Sequence, residues 1–245
     1  MELTKLATID DLAGYLQIAT KALLYWSFVA KPHSLYRSFE IPKRSGGIRR
    51  INAPDEPLKS LQSKLNRLLT EALKPRAAVH GFVKDRSIVT NAAMHVRQRF
   101  VLNVDIADFF GAINFGRIRG ALISKPFCVP PRVATVIAKL ACFENALPQG
   151  APSSAVLANY VCLRLDGELL RLARSLGCRY TRYADDLTFS TSRSTVPEEL
   201  AVLIHPPYGT EATAGAALSM VIQSNGFKIN EKKVRIFPRI HAQRV

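Results

Sequence analysis

The chain has 245 residues, 48% of them hydrophobic, and its 34 Lys and Arg against 19 Asp and Glu give a formal charge of +15. That length and apolar content can bury a core as one large domain or two small lobes, and no apolar run is long enough for a membrane span. A charge of this size opposes a compact fold unless a polyanion offsets it, so nucleic acid is the expected partner. Glu2, Asp10 and Asp11 at the N-terminus, and the polar breaks Gln17, Thr20, Lys21 and Ser27, do not form a secretory leader. The four cysteines, Cys128, Cys142, Cys162 and Cys178, lack metal-ligand spacing and are expected as plain buried thiols in a reducing cytoplasm.

Along the chain, Asp10 to about Val29 predicts one amphipathic helix with Leu12, Leu16, Ala19 and Leu23 on its stripe, ended by Lys31-Pro32. Tyr36 to Ile41 and Ile48 to Asn52 predict a basic hairpin turned by Ser45-Gly46-Gly47. Leu58, Leu61, Leu65, Leu68, Leu69 and Leu73 repeat at helical spacing until Pro75. Gly81 to Asn91 reads as a loop entering a helix near His95, and Phe100 to Ile106 as a buried strand. Val133 to Phe143 is helical. A second helix after Pro152 turns Ala158, Val161, Cys162, Leu165, Leu169 and Leu172 inward, and the loop Leu147-Pro148-Gln149-Gly150-Ala151 precedes it. Arg179 to Ser190 reads as two strands joined at Ala184-Asp185-Asp186. Residues 192–215 are rich in Ser, Thr, Pro and Gly and read as a loop insertion, followed by a helix from Ala216 to Ser224 and a basic, strand-containing end from Phe227 to Phe237.

Three carboxylates sit at strand ends with no His or Cys beside them: Asp105 in Asn103-Val104-Asp105-Ile106, and Asp185 and Asp186 after Tyr183-Ala184. Alone, Asp105 reads as a solvated strand-end acid. The hairpin pair changes that reading, because acids that repel one another and a phosphate backbone make little sense in so basic a chain unless cations join them. Hard oxygen donors suit Mg²⁺ over Zn²⁺. A two-metal site would use Asp105 and Asp185 as shared ligands, with Asp186 nearby and the Ile106 carbonyl completing the shell, and would serve phosphoryl transfer on a nucleic acid. Only one of two consecutive residues can share the face of Asp105 in extended geometry. Without metal, the clustered acids should have raised, coupled proton affinities.

From about Tyr36 onward the chain resembles the reverse transcriptases, and among them the bacterial retron enzymes. The resemblance rests on strings in family order: Ile41-Pro42-Lys43 with Gly46-Gly47-Ile48-Arg49, Leu58 to Gln62, Gly81-Phe82-Val83 with Arg86-Ser87-Ile88, and Asn103 to Ile106 with Phe109-Phe110. They continue with Leu147 to Ser154, Tyr183 to Asp186, and Gly226-Phe227-Lys228-Ile229-Asn230 with Lys232-Lys233. Asn91-Ala92 with His95 resembles an element that marks the retron branch. The resemblance implies an α+β right-hand polymerase fold, fingers plus palm, with an antiparallel palm sheet and packed helices. Residues 1–35 would be an N-terminal helical segment, 36–99 the fingers and 100–245 the palm, with some fingers elements between its motifs and the thumb absent from this chain.

It also implies roles. Lys43 and Arg49 would close over a triphosphate, against the alternative of a solvated basic hairpin. Phe110 would lie under the incoming sugar and exclude a 2′-hydroxyl, or else be core, with Phe109 the expected core member. Gln149 would face the nucleotide, or its loop would only cap a helix. Lys233 would protonate the leaving pyrophosphate, with Lys232 one residue away. His95 would support the fold or touch RNA. The implied partners are two Mg²⁺ ions, dNTP, growing DNA, a structured noncoding RNA as template and primer, and a retron effector protein in anti-phage defence. Relatives continue with a Val-Thr-Gly element and a helical thumb where this chain reads Gln243-Arg244-Val245; truncation, a split gene or a thumb on another chain stay open. Ala155 stands where a proline is common. A nucleic-acid-binding scaffold without processive synthesis, and an intron-type maturase or other defence polymerase, are the competing readings.

Overall fold

A computed structural model describes residues 2–42, 46–204 and 210–238. Helix α1 (Ile9–Leu16) begins with a capping box in which Thr8 Oγ1 accepts the Asp11 N–H while the Asp11 carboxylate accepts the Thr8 N–H. The single helix expected over 10–29 is two. Gln17 takes a left-handed φ of 59° and ends α1, and α2 (Thr20–Phe28) starts anew, with the Thr20 hydroxyl donating to Asp10. Strands β1 (Tyr36–Pro42) and β2 (Ile48–Pro54) pair antiparallel, with Gly46 and Gly47 at φ 84° and 83° in the turn. Helix α3 (Glu56–Ala72) buries Leu58, Leu61, Leu65, Leu68 and Leu69 on one stripe.

Helix α4 (Ile88–Ala93) starts well before His95, because Ser87 and Thr90 cap it reciprocally; His95 lies in the turn that follows. Strand β3 (Phe100–Ala107) is next, then α5 (Phe115–Ile123), which the sequence reading did not place because only Ile118 and Leu122 are buried in it. Helix α6 (Pro131–Ala141) is as expected. The helix after Pro152 is broken at Cys162 into α7 (Ser154–Val161) and α8 (Leu163–Ser175). Strands β4 (Arg179–Tyr183) and β5 (Asp186–Thr191) form the expected hairpin. The stretch 192–215 is not only loop: β6 (Ala201–Leu203) and β7 (Ala212–Ala214) pair antiparallel within it. Helix α9 (Ala216–Ser224), β8 (Lys228–Ile229) and β9 (Arg235–Pro238) complete the described chain. Of the cysteines only Cys162 is buried; Cys142 and Cys178 are half-buried and Cys128 is exposed, which corrects the expectation of four buried thiols.

The contacts divide the chain into two compact units, each built from two separate stretches. In the unit of residues 1–74 and 110–161, the Gln62 side chain donates to the Tyr36 hydroxyl and the Leu140 carbonyl, both at 2.8 Å, tying α3 to β1 and α6. In the unit of residues 75–109 and 162–245, an antiparallel sheet runs β4-β5-β3-β8, with β9 also pairing with β3. Helix α8 packs on β4 and α9. Among the described residues no helix is long and apolar enough to cross a membrane.

Candidate active site

The sheet register sets Asp105 directly opposite Asp186, so these two side chains share a face. Asp185 lies in the turn after Ala184, whose φ is 56°, and its carbonyl accepts the Ile106 N–H at 3.0 Å. Asp105 does not project into solvent from a sheet edge, as its strand-end position suggested. It is 6% exposed, because β3 continues to Ala107 and the chain around β8 closes over it. Its Oδ1 accepts from Asn230 Nδ2 at 3.0 Å and its Oδ2 from Lys233 Nζ at 2.6 Å. The Asn230 N–H also donates to the Asp105 carbonyl at 2.8 Å, which fixes the chain carrying Lys233 against β3. Of the two adjacent lysines, Lys233 is the one in contact with Asp105.

The electrostatics follow from this crowding. Loss of hydration, then the charges of Asp185 and Asp105, push the Asp186 carboxyl up to about 6, although Lys233 pulls the other way. The hydrogen bond to Asp105, with the added pull of Asp185 and Asp186, holds Lys233 above the usual lysine range. As a donor set, three mutually repelling carboxylates suit a hard divalent cation. In the present arrangement Asn230 and Lys233 engage both Asp105 oxygens, and among the described residues no group of three or more His, Cys, Asp or Glu is gathered to hold a metal ion. Lys233 supplies the positive charge that lies against Asp105.

A second set of residues shapes the turn, and in it Arg182, Asp166, Tyr180 and His80 were not singled out from the sequence. Arg182 and Asp166 are both fully buried and form a two-point ion pair at 2.8 Å, Nε to Oδ1 and Nη2 to Oδ2. Burial opposes the charge on Arg182, but Asp166 outweighs it and holds the guanidinium protonated. Arg182 Nη1 donates to the Ala184 carbonyl at 3.1 Å, one residue before Asp185, and the Tyr180 hydroxyl donates to Asp166 at 2.9 Å. On the other side, His80 N–H donates to the Arg182 carbonyl and Arg182 N–H to the Ala78 carbonyl, both at 2.8 Å. A Cβ on Gly81 would run into the Ala184 amide nitrogen, so only glycine permits that approach. Arg86 Nη1 donates to the carbonyls of Arg76, Ala77 and Val79 and holds this segment. His95 is 1% exposed, its two ring nitrogens each 2.7 Å from a hydroxyl, Ser190 and Thr181, so it supports the hairpin from within. For Arg182 and its buried partners the one sequence signal was Asp166, an acid beside Leu165 on the inward stripe of α8.

Arg49, Phe110 and Gln149 belong to the first unit, and Lys43 lies outside the described residues. Arg49 is exposed on β2. The Gln149 loop is docked on that same strand: the Asn52 N–H donates to the Gln149 carbonyl at 2.8 Å, and Gly150, at φ 116°, lets the loop approach so closely that a Cβ there would come within 2.8 Å of Ile51 Cγ2. Phe110 is half-buried, and Phe109 is the core member of the pair, stacked on Phe227 with ring centroids 5.7 Å apart.

An antiparallel sheet whose adjacent strands carry paired carboxylates, with a lysine against them and helices packed behind, is the palm of a polymerase. The chain belongs to the reverse transcriptase family: residues 41–242 match the family described as reverse transcriptase (RNA-dependent DNA polymerase). It is similar to the retron Mx65 reverse transcriptase of Myxococcus xanthus, at 38% identity over 97% of this chain and 57% of that protein. It is also similar to the retron Mx162 reverse transcriptase of the same organism, at 34% over 99% of this chain and 53% of the relative. The retron Ec86 reverse transcriptase of Escherichia coli is 34% identical over 82% of this chain and 58% of its own. The chain thus spans about half the length of the curated relatives it matches. Apo telomerase from Candida tropicalis, truncated from its C-terminal domain, shares the fold with a TM-score of 0.50 at 12% identity, over 88% of this chain and 52% of that one.

Proposed function

We propose that this chain is the fingers and palm, residues 36–99 and 100–245, of a retron reverse transcriptase that copies a structured noncoding RNA into DNA. The observation that carries the proposal is Asp105 directly opposite Asp186 on β3 and β5, with the charge of Asp185 in the adjoining turn acting on Asp186 and Lys233 hydrogen-bonded to Asp105. These acids, with the Ile106 carbonyl, would hold two Mg²⁺ ions. When bound, such cations lower the pKa of an attacking hydroxyl and offset charge on the transferring phosphate. Lys233, released from Asp105, carries a proton beside the place where pyrophosphate leaves. Arg49 presents a planar fork to triphosphate oxygens, with Lys43 as a point charge in the same hairpin. The Gln149 loop, docked on β2, faces the nucleotide, and the Phe110 ring excludes a ribose 2′-hydroxyl and favours dNTP. An effector protein and a role in anti-phage defence follow from the retron resemblance and belong to the same proposal, with the cytoplasmic setting that the cysteine pattern suggests.

The competing reading, a scaffold that binds nucleic acid without synthesis, draws on the engagement of Asp105 by Lys233. Asp185→Asn separates the two. It should reduce primer extension in Mg²⁺ by at least about 100-fold, as expected when a metal-assisted transfer loses a ligand, while RNA affinity stays within about two-fold. Undiminished extension by the variant would remove Asp185 from catalysis.

A further inference from the structure

The ends of β3, β4 and β5 away from the carboxylates hold a second concentration of charge. In the register, Asp105 opposite Asp186 marks one end and Phe100 opposite Thr191 the other, about 17 Å along at the usual strand rise. There an open recess of about 520 Å³ is lined by Gln98, Gly177, Arg179, Ser192 and Arg193, among others, with no acid in its lining.

The two arginines are held in place. Arg179 is exposed and donates from Nη1 to the Met94 carbonyl at 2.8 Å. The Arg193 guanidinium lies over Gly177, close enough that a Cβ there would sit 3.1 Å from its Nε, and Gly177 itself has φ 65°. The Arg193 N–H donates to Thr191 Oγ1 at 3.2 Å, and the Ser192 hydroxyl donates to Gln98 at 3.0 Å, fixing the floor of the recess. Exposed Arg97 and Arg99 flank it on the chain entering β3. Among the described residues no carboxylate pairs with Arg97, Arg179 or Arg193, in contrast to Arg164, Arg182 and Arg235. Like charges gathered without acids repel one another, and that repulsion is relieved by an external anion. A guanidinium fork matches the paired oxygens of a phosphate in a two-point geometry.

We propose that this recess binds the phosphodiester backbone of RNA far from the reacting end, anchoring the RNA to the palm. The inference rests on the reading of the chain as an RNA-directed polymerase, yet its test reads affinity alone, whereas Asp185→Asn reads synthesis, so either can fail without the other. The double variant Arg179→Ala/Arg193→Ala is titrated against a labelled hairpin RNA with a single-stranded tail, by fluorescence anisotropy across a salt series. Arg179→Lys/Arg193→Lys is run beside it, with thermal melts to confirm folding. The alanine pair should bind on the order of ten-fold more weakly, with the slope of log affinity against log salt reduced by about 2, while the lysine pair keeps most of the affinity. If the alanine pair misfolds, Arg193→Ala alone should reduce the slope by about 1. Unchanged affinity and slope in a folded alanine variant would overturn the proposal.

Discussion

Gly81 and His95, both in strings that resemble the family, hold the β4–β5 hairpin: Gly81 by its close approach to the Ala184 amide, His95 by its ring nitrogens at Ser190 and Thr181. Gly81→Ala drives a Cβ into the Ala184 amide, so the turn carrying Asp185 must shift. Overpacking of this kind costs about 1–3 kcal/mol, and about 1 Å of displacement at a reacting group can cost on the order of 100-fold in rate. Denaturant melts and primer extension should show both losses; wild-type values in both would free the turn from this contact. For His95, burial first, then Arg179 and His80, lowers the ring pKa to about 4. The unfolded ring, with a pKa near 6.5, takes up a proton that the folded ring refuses. His95 therefore withholds no stability above about pH 6.5, and stability is lost as pH falls from there toward 4, by about 3 kcal/mol at most. His95→Gln should flatten that stretch of the stability–pH curve in urea melts, and an unaltered slope would assign the acid sensitivity elsewhere.

At the level of elements, α8 and β4 are joined by a buried ion pair that ends at the turn. Removing one partner strands the other as an uncompensated charge at a cost of about 3–5 kcal/mol. Asp166→Ala should show that loss in equilibrium unfolding, with a matching loss from Arg182→Ala and much less than the sum in the double variant. Additive losses would mean that the two side chains act independently. This pair also marks how far the elements were legible. Strands β3, β4 and β5 and helices α3 and α6 were readable because one apolar stripe or alternation ran their whole length. Helix α5 was not, since only Ile118 and Leu122 are buried in it. The breaks at Gln17 and Cys162 were hidden by apolar spacing that continues through them, and a left-handed Gln is not a residue type that announces a cap. Asp105, Asp185 and Asp186 could be picked out because they sit at strand ends, two of them consecutive, in a chain whose 34 Lys and Arg outnumber its 19 Asp and Glu. Arg182 could not, because an arginine among 34 basic residues gives no sign that it is buried.

For the molecule as a whole, each compact unit combines two distant stretches of the chain. That interleaving is fixed by non-local contacts, such as Gln62 to Leu140 and Lys233 to Asp105, which no local pattern encodes. Net charge, in contrast, is a property of composition and was available at once. A charge of +15 spread over both stretches of both units, including the hairpin with Arg49 and Arg50 and the recess with Arg179 and Arg193, would give an RNA many phosphate contacts of modest individual strength. Each contact releases condensed counterions, so log affinity falls with log salt by about 0.7 to 0.9 per phosphate neutralised. If six or more phosphates are engaged, affinity for a structured RNA should fall by at least about 10³-fold between 50 and 200 mM salt. Anisotropy titrations with the whole chain over that range give the slope directly. A fall of less than about ten-fold would mean that at most one or two phosphates are held, and that most of the positive charge is simply solvated rather than turned toward nucleic acid.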